Sequence, residues 1–131
     1  MAGQWLPPDH ALGDANTIGG YMRVHARPAA FEGSDGLSYS VALEVDETGD
    51  RDRPFAAYFL FLRWRRVGAQ GVDGHLESDY LAWGNTVEAA RDALGAWPLA
   101  EVRARLEARL AELSQQVTSR RWYDVMRDDD A

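Results

Sequence analysis

The chain has 131 residues, 46% hydrophobic and 27% charged, with a formal charge of −7 and no Cys. That length and balance suit one globular domain with a core of its own, and the missing Cys removes disulfide frameworks, thiolate metal sites and cysteine nucleophiles. The acidic balance opposes nucleic-acid binding, because phosphate affinity rests on clustered cations. All 14 basic residues are Arg, a bias that the base composition of the genome explains more readily than function does.

Residues 1–19 form a Pro- and Gly-containing arm whose Trp5 and Leu6 are apolar enough to dock. They lack the basic start and apolar stretch of a secretory leader, and no later segment approaches the ~20 apolar residues of a membrane span, so the expectation is a cytoplasmic domain with no membrane partner. Residues 20–84 alternate as strands do. The first expected strand covers 21–27, the second 37–45, and a Glu32-Gly33-Ser34-Asp35-Gly36 turn joins them into a hairpin. The third, 55–66, is apolar on both faces in its first half, as a central strand should be. The fourth, 75–83, follows a Gly-containing loop over 68–74.

After Gly84 the period changes to that of helices over 85–117. Asn85 and Glu88 have capping-box spacing, Val87, Ala90, Arg91 and Leu94 mark one side of a short helix, and Gly95 can end it. Pro98 suits the first turn of a second helix with Leu99, Val102, Leu106, Leu110, Leu113 and Val117 as its apolar stripe. Glu101 with Arg105, and Arg103 with Glu107, are spaced for surface ion pairs on the opposite side. Residues 118–131 are expected to be a tail, with 127–131 frayed. The predicted fold class is therefore α+β, a four-stranded antiparallel meander (β-β-β-β-α-α) in a single domain, with two C-terminal helices packed on one face.

Centring each hairpin on its loop assigns the two faces of the sheet. Val41, Leu43 and Val45 then share an apolar face with Ala56, Tyr58, Leu60, Leu62 and Trp64, and with Leu76, Ser78 and Tyr80; the helices should cover it. The other face is expected to expose Arg27, Ser40, Phe59, Phe61, Arg63, Arg65, His75, Glu77, Asp79 and Trp83, an aromatic floor rimmed by Arg and carboxylates that resembles interface anatomy. Arg63 opposite Glu77 reads equally as an ordinary cross-strand pair, and the arm or a twofold partner is an equal candidate for covering the rings.

No catalytic or metal motif emerges. His75, Glu77 and Asp79 alternate on one strand, which sets the outer two roughly 13 Å apart, too far to bind one ion. Arg63 and Arg65 would hold Glu77 and Asp79 ionised, and the loop over 68–74 lacks the Lys of a phosphate loop. Arg120-Arg121-Trp122-Tyr123 offers cations and rings, yet three Asp follow closely. The expected function is a non-catalytic protein-binding domain, adaptor, subunit or inhibitor, acting through the mixed face, with no cofactor, an unknown protein partner, and a homodimer compatible with the same surface. The alternative is a small-molecule site or small enzyme in a pocket between that face and the arm, with Arg27, Arg63 and Glu77 as its polar groups.

Overall fold

The computed structural model describes residues 7–64 and 71–129, side chains included through residue 116. Its elements in chain order are α1 (Ile18–His25), β1 (Ala30–Glu32), β2 (Ser38–Glu47), β3 (Phe55–Trp64), β4 (Val72–Glu77), β5 (Ala82–Gly84), α2 (Val87–Gly95) and α3 (Leu99–Asp129), with one 3-10 turn at His10–Leu12. The sheet is an antiparallel meander in the order β1-β2-β3-β4, and β5 returns to pair with β3 beyond the end of β4. The α+β class, with two C-terminal helices against the sheet, is as the sequence predicts.

The first strand of the meander is not the expected one. Residues 21–25 belong to α1, whose N-cap is Thr17, with its Oγ1 accepting the Gly20 N–H at 3.0 Å, and Ala26 and Arg27 follow its end. In a segment of eight residues the apolar spacing of Ile18, Tyr21 and Met22 fits a helix as well as the alternation fits a strand, and the cap and packing decide. α1 ends at Ala26, in the left-handed region at φ 52. The role of first strand passes to Ala30–Glu32, three residues that pair with Ser40, Tyr39 and Ser38. Part of the segment read as a turn is thus a short edge strand.

The fourth expected strand is two. β4 ends at Glu77, and Ser78 turns inward: its N–H donates to the Phe59 carbonyl at 3.0 Å and its Oγ accepts the Phe59 N–H at 2.9 Å. Asp79 and Tyr80 lie in the turn, and Ala82–Gly84 resumes pairing opposite Ala57 to Phe55. Between Arg63 and Trp64 the register with β4 shifts at a bulge, so that Arg63 meets Gly74 and Trp64 meets Val72.

The cap of α2 is Thr86 rather than Asn85: Thr86 is extended, and its Oγ1 accepts the Ala89 N–H at 3.0 Å. Ala90 and Leu94 of the predicted stripe are fully buried, as are Val102 and Leu106 of α3. α3 runs to Asp129, past the expected end near 117, and residues 118–129 are helix where a tail was expected; no Gly or Pro interrupts it. Arg103, Arg105 and Glu107 of α3 find partners outside the expected pairs, Arg103 through the Glu32 carbonyl, which accepts from its Nη2 at 3.4 Å. Arg105 lies over the Trp97 ring at 5.4 Å, and Glu107 accepts the Ser34 N–H at 2.9 Å.

The core joins Tyr39 and Val41 of β2, Ala57, Phe59 and Phe61 of β3, Ile18 of α1, Ala90 and Leu94 of α2, and Val102 and Leu106 of α3. Each such Leu, Val or Phe contributes about 1.5–3 kcal/mol by area. α1 reaches this layer at a crossing of backbones: a Cβ on Gly19 would lie 3.0 Å from the Gly95 Cα, so a side chain there would push α1 and α2 apart. Residues 14–18 then tie to the α2–α3 junction, where Ile18 N–H donates to the Trp97 carbonyl and Leu99 N–H to that of Asn16.

Candidate functional site

β2 and β3 pair with Val41 opposite Phe61, Leu43 opposite Phe59 and Val45 opposite Ala57. The register is one residue from the predicted one, and since side chains alternate with period two, the slip exchanges the faces of β3 while β2 keeps its own. Phe59 and Phe61 therefore lie in the core with no exposure, and Tyr58, Leu60, Leu62 and Trp64 point away from the helices. This overturns the expectation that the two Phe rings floor a contact surface.

The ten expected contact residues are dispersed. Ser40, His75, Glu77 and Trp83 do lie on the face away from the helices, since Ser40 and His75 flank Leu62, Glu77 is opposite Leu60, and Trp83 is opposite Ala56. Arg63 is on the helix side, where its Nε donates to Asp73 Oδ1 at 2.7 Å; the expected pairing with Glu77 does not form because the register sets Glu77 opposite Leu60, on the other face of the sheet. Asp79 sits in the turn after β4, beside Arg105 and Arg109 of α3. Arg27 lies after α1 and donates to the Tyr21 hydroxyl at 3.0 Å. Arg65 falls outside the described residues, as do Trp5 and Leu6 and the side chains of Arg120 to Tyr123.

What the open face offers instead is an apolar stripe along β3. Tyr58, Leu60 and Leu62 are half-buried there, and Trp64 is 41% exposed beside Val72 at 40%. Tyr80 and Trp83, also partly exposed, extend the stripe at the other end, with the Tyr80 ring edge-on to Tyr58 at 6.0 Å. Two polar contacts hold the rings: Trp64 Nε1 donates to Ser40 Oγ and the Tyr80 hydroxyl to Asp46 Oδ2, each at 2.8 Å. Arg53 stacks over Trp83 at 4.4 Å.

Acidic side chains rim this stripe. Glu32, Glu44 and Asp46 share the face from β1 and β2, and Glu77 from β4. Their field is visible in the phenols: burial, then the charges of Asp46, Glu77 and Glu44, pushes Tyr58 above the usual tyrosine range, and the hydrogen bond to Asp46 does the same for Tyr80. The residues missed at the sequence level carried one usable signal. The even positions of β3 hold Tyr58 and Trp64, rings with a polar atom that prefers a wet edge, whereas the odd positions hold Phe.

A second concavity lies on the helix side, a cleft of about 720 Å³ between β2, β3 and α3 whose lining includes Asp35, Tyr39, Arg63, Glu107 and Leu110. Its charged groups are already engaged: the Tyr39 hydroxyl donates to Asp35 Oδ2 at 2.6 Å, and Arg63 holds Asp73. Burial first, then the Asp35 carboxylate, pushes Tyr39 up to about 12, far from the range useful for acid–base work near neutrality. Because the unfolded phenol ionises near 10, the proton held by folded Tyr39 stabilises the fold fully below pH 10, and that contribution is lost as pH rises through 12. We expect Tyr39 to contribute a loss on the order of 2 kcal/mol across that interval in unfolding measurements, so that Tyr39→Phe loses less by about that amount. An equal alkaline loss in both proteins would refute the assignment.

Among the described residues no three metal-ligating side chains converge, and no helix is long and apolar enough to cross a membrane. Compared with protein families, curated proteins and solved structures, the chain matches none.

Proposed function

We propose that this chain is a non-catalytic protein-binding domain that engages its partner through the sheet face turned away from the helices. One observation carries the reading. Four of the large apolar side chains left exposed, Trp64, Val72, Tyr80 and Trp83, share that one face with the half-buried Tyr58, Leu60 and Leu62. Aromatic residues at the centre of a patch and charge at its rim are the anatomy of a contact surface. The carboxylates at Glu32, Glu44, Asp46 and Glu77 give the partner a chemistry, an apolar centre surrounded by basic residues. A second copy of the chain would have to bring an acidic rim against its like, so a heterologous partner is the stronger proposal. The absence of Cys suits a reducing compartment, and the proposal sets the domain in the cytoplasm as an adaptor, subunit or inhibitor.

Affinity capture from the host, comparing the native chain with Trp64→Ala and Leu62→Arg, tests this. Both variants should keep their thermal midpoint near the native value while the captured partner falls at least about thirtyfold, the loss expected for a contact hot spot. Unchanged capture by both folded variants would defeat the reading. Self-association by sedimentation, abolished by the same variants, would replace the heterologous partner with a homodimer.

A ligand-binding role rests on a different observation, the cleft beside Tyr39 and Arg63, whose volume falls within the range of small-molecule sites. It lies on the helix side. The described part of the arm packs elsewhere, with Asp9 N–H donating to the Val24 carbonyl and Thr17 bridging to Pro98. Saturable protection of the Tyr39 hydroxyl region by a metabolite in NMR titration would favour this second role.

A further inference from the structure

The outer edge of β2 is only partly covered. β1 pairs with Ser38, Tyr39 and Ser40, and one further bond, from Val41 N–H to the Ala29 carbonyl at 3.0 Å, ends the coverage. β2 itself continues to Glu47.

The direction of the remaining backbone groups follows from the opposite strand. Phe59 exchanges its N–H and carbonyl bonds with Ser78, and the Ala57 carbonyl accepts the Leu81 N–H, so these β3 residues bond away from β2. In an antiparallel ladder the residues facing them, Leu43 and Val45, must turn their own N–H and carbonyl groups the other way, toward the uncovered edge. No hydrogen bond satisfies them among the described residues. Alongside this edge runs a groove of about 450 Å³, floored by Val41 and Leu43 and walled by Met22 of α1 and Gly95 of α2, with Arg23 and Asp92 3.8 Å apart at its rim.

We infer that this stretch of β2 accepts an extended segment of a partner protein as an added strand, and that the segment alternates apolar with basic side chains. Both halves of the pattern follow from the pleat. Successive side chains of an incoming strand point to opposite faces. On the helix side they meet the groove beside Met22 and Leu43, which suits apolar groups. On the other side they lie next to Glu44 and Asp46, which suit Arg or Lys.

The same two carboxylates argue against the obvious rival, a second copy of β2. Antiparallel self-pairing centred on Glu44 or Val45 sets carboxylate against carboxylate, and like charges directly opposite destabilise a ladder. Charged side chains are a usual way to protect a strand edge from its own kind. Here the protection has a sign, and a basic strand evades it. The inference rests on backbone groups, the groove and two carboxylates that also rim the open face, and does not use the apolar stripe.

The probe is a blocked pentapeptide of alternating valine and arginine, titrated into the full-length isotope-labelled chain, with a valine–glutamate pentapeptide as control. The expected result is saturable shifts centred on Leu43 and Val45, with their amide exchange slowed about tenfold or more at saturation. The control should leave both amides unchanged. Val45→Pro removes a donor that no described residue uses, at a position where an edge strand tolerates Pro, and should abolish the response while the protein stays folded. Glu44→Lys should weaken binding of the valine–arginine peptide roughly two- to fivefold and allow the glutamate peptide to bind; this variant decides the matter if the Pro variant does not fold. Trp64→Ala should leave peptide binding intact, which separates this edge from the open face. Shifts centred elsewhere, equal response to both peptides, or protection of Leu43 and Val45 in the free protein would overturn the inference.

Discussion

Phe61→Ala is expected to lower the free energy of unfolding by about 3–5 kcal/mol, the range for deleting a buried Phe. Phe61 is fully buried, flanked across the strands by Val41 and Leu76, with Phe59 6.1 Å away on the same strand. Neighbouring Leu62 makes the comparison decisive. It is half-buried on the opposite face between Ser40 and His75, and Leu62→Ala should lose only about 1 kcal/mol because it leaves no sealed cavity. Urea unfolding of both variants measures the difference. A larger loss for Leu62→Ala than for Phe61→Ala would mean that β3 presents its other side to the helices, and the face proposed for binding would be the core.

Leu106→Ala should cost about 2–5 kcal/mol. α3 is long, yet the residues that tie it to the core are Leu99, Val102, Leu106 and Leu110, and of these Val102 and Leu106 have no exposure. Truncating Leu106 therefore removes a middle anchor from a single stripe. The neighbouring Arg105 should tolerate replacement with far less loss, since it lies outside the core over the Trp97 ring. Thermal unfolding checks the magnitude, and amide exchange in the first turns of α3 checks the location. A loss below 1 kcal/mol would show that the helix is held by something other than this stripe.

The contrast between β2 and β3 explains how much of the fold could be read from the sequence. β2 alternates Tyr39, Val41, Leu43 and Val45 with Ser38, Ser40, Ala42 and Glu44, so one phase alone buries its apolar set, and the structure follows it. From Phe55 to Leu62 every residue of β3 is apolar. Neither phase is excluded by hydrophobicity, and the register depends on the connection, where Glu47 still pairs with Phe55 and the Thr48 N–H donates to the Pro54 carbonyl. Centring on a loop of that length errs by one residue easily, and one residue suffices to invert the site.

The helices were legible for the complementary reason. Leu99, Val102, Leu106, Leu110 and Leu113 recur at spacings of three and four, a pattern that a strand would split between its two faces, and Val102 and Leu106 lie in the core with Leu99 and Leu110 packed against it. α1 was not legible, because two consecutive glycines at 19 and 20 argue against a helix on propensity, while Gly19 serves a close crossing with Gly95 and Gly20 a close approach to Asp14 that only the assembled fold reveals. The acidic character of the open face was partly legible through Glu77 and its aromatic content through Trp83, whereas Phe59 and Phe61 were assigned to it in place of Tyr58 and Trp64.

The ties between residues 14–18 and the α2–α3 junction have a kinetic consequence. The β2–β3 and β3–β4 hairpins join segments that follow one another along the chain, so they close short loops and can form early. The contacts of Asn16, Thr17 and Ile18 with Trp97, Pro98 and Leu99 bridge the whole intervening sheet sequence, and the entropy of closing that large loop places them late on the folding route. During synthesis the amino-terminal segment must wait for the helical layer to emerge before it can lock into place.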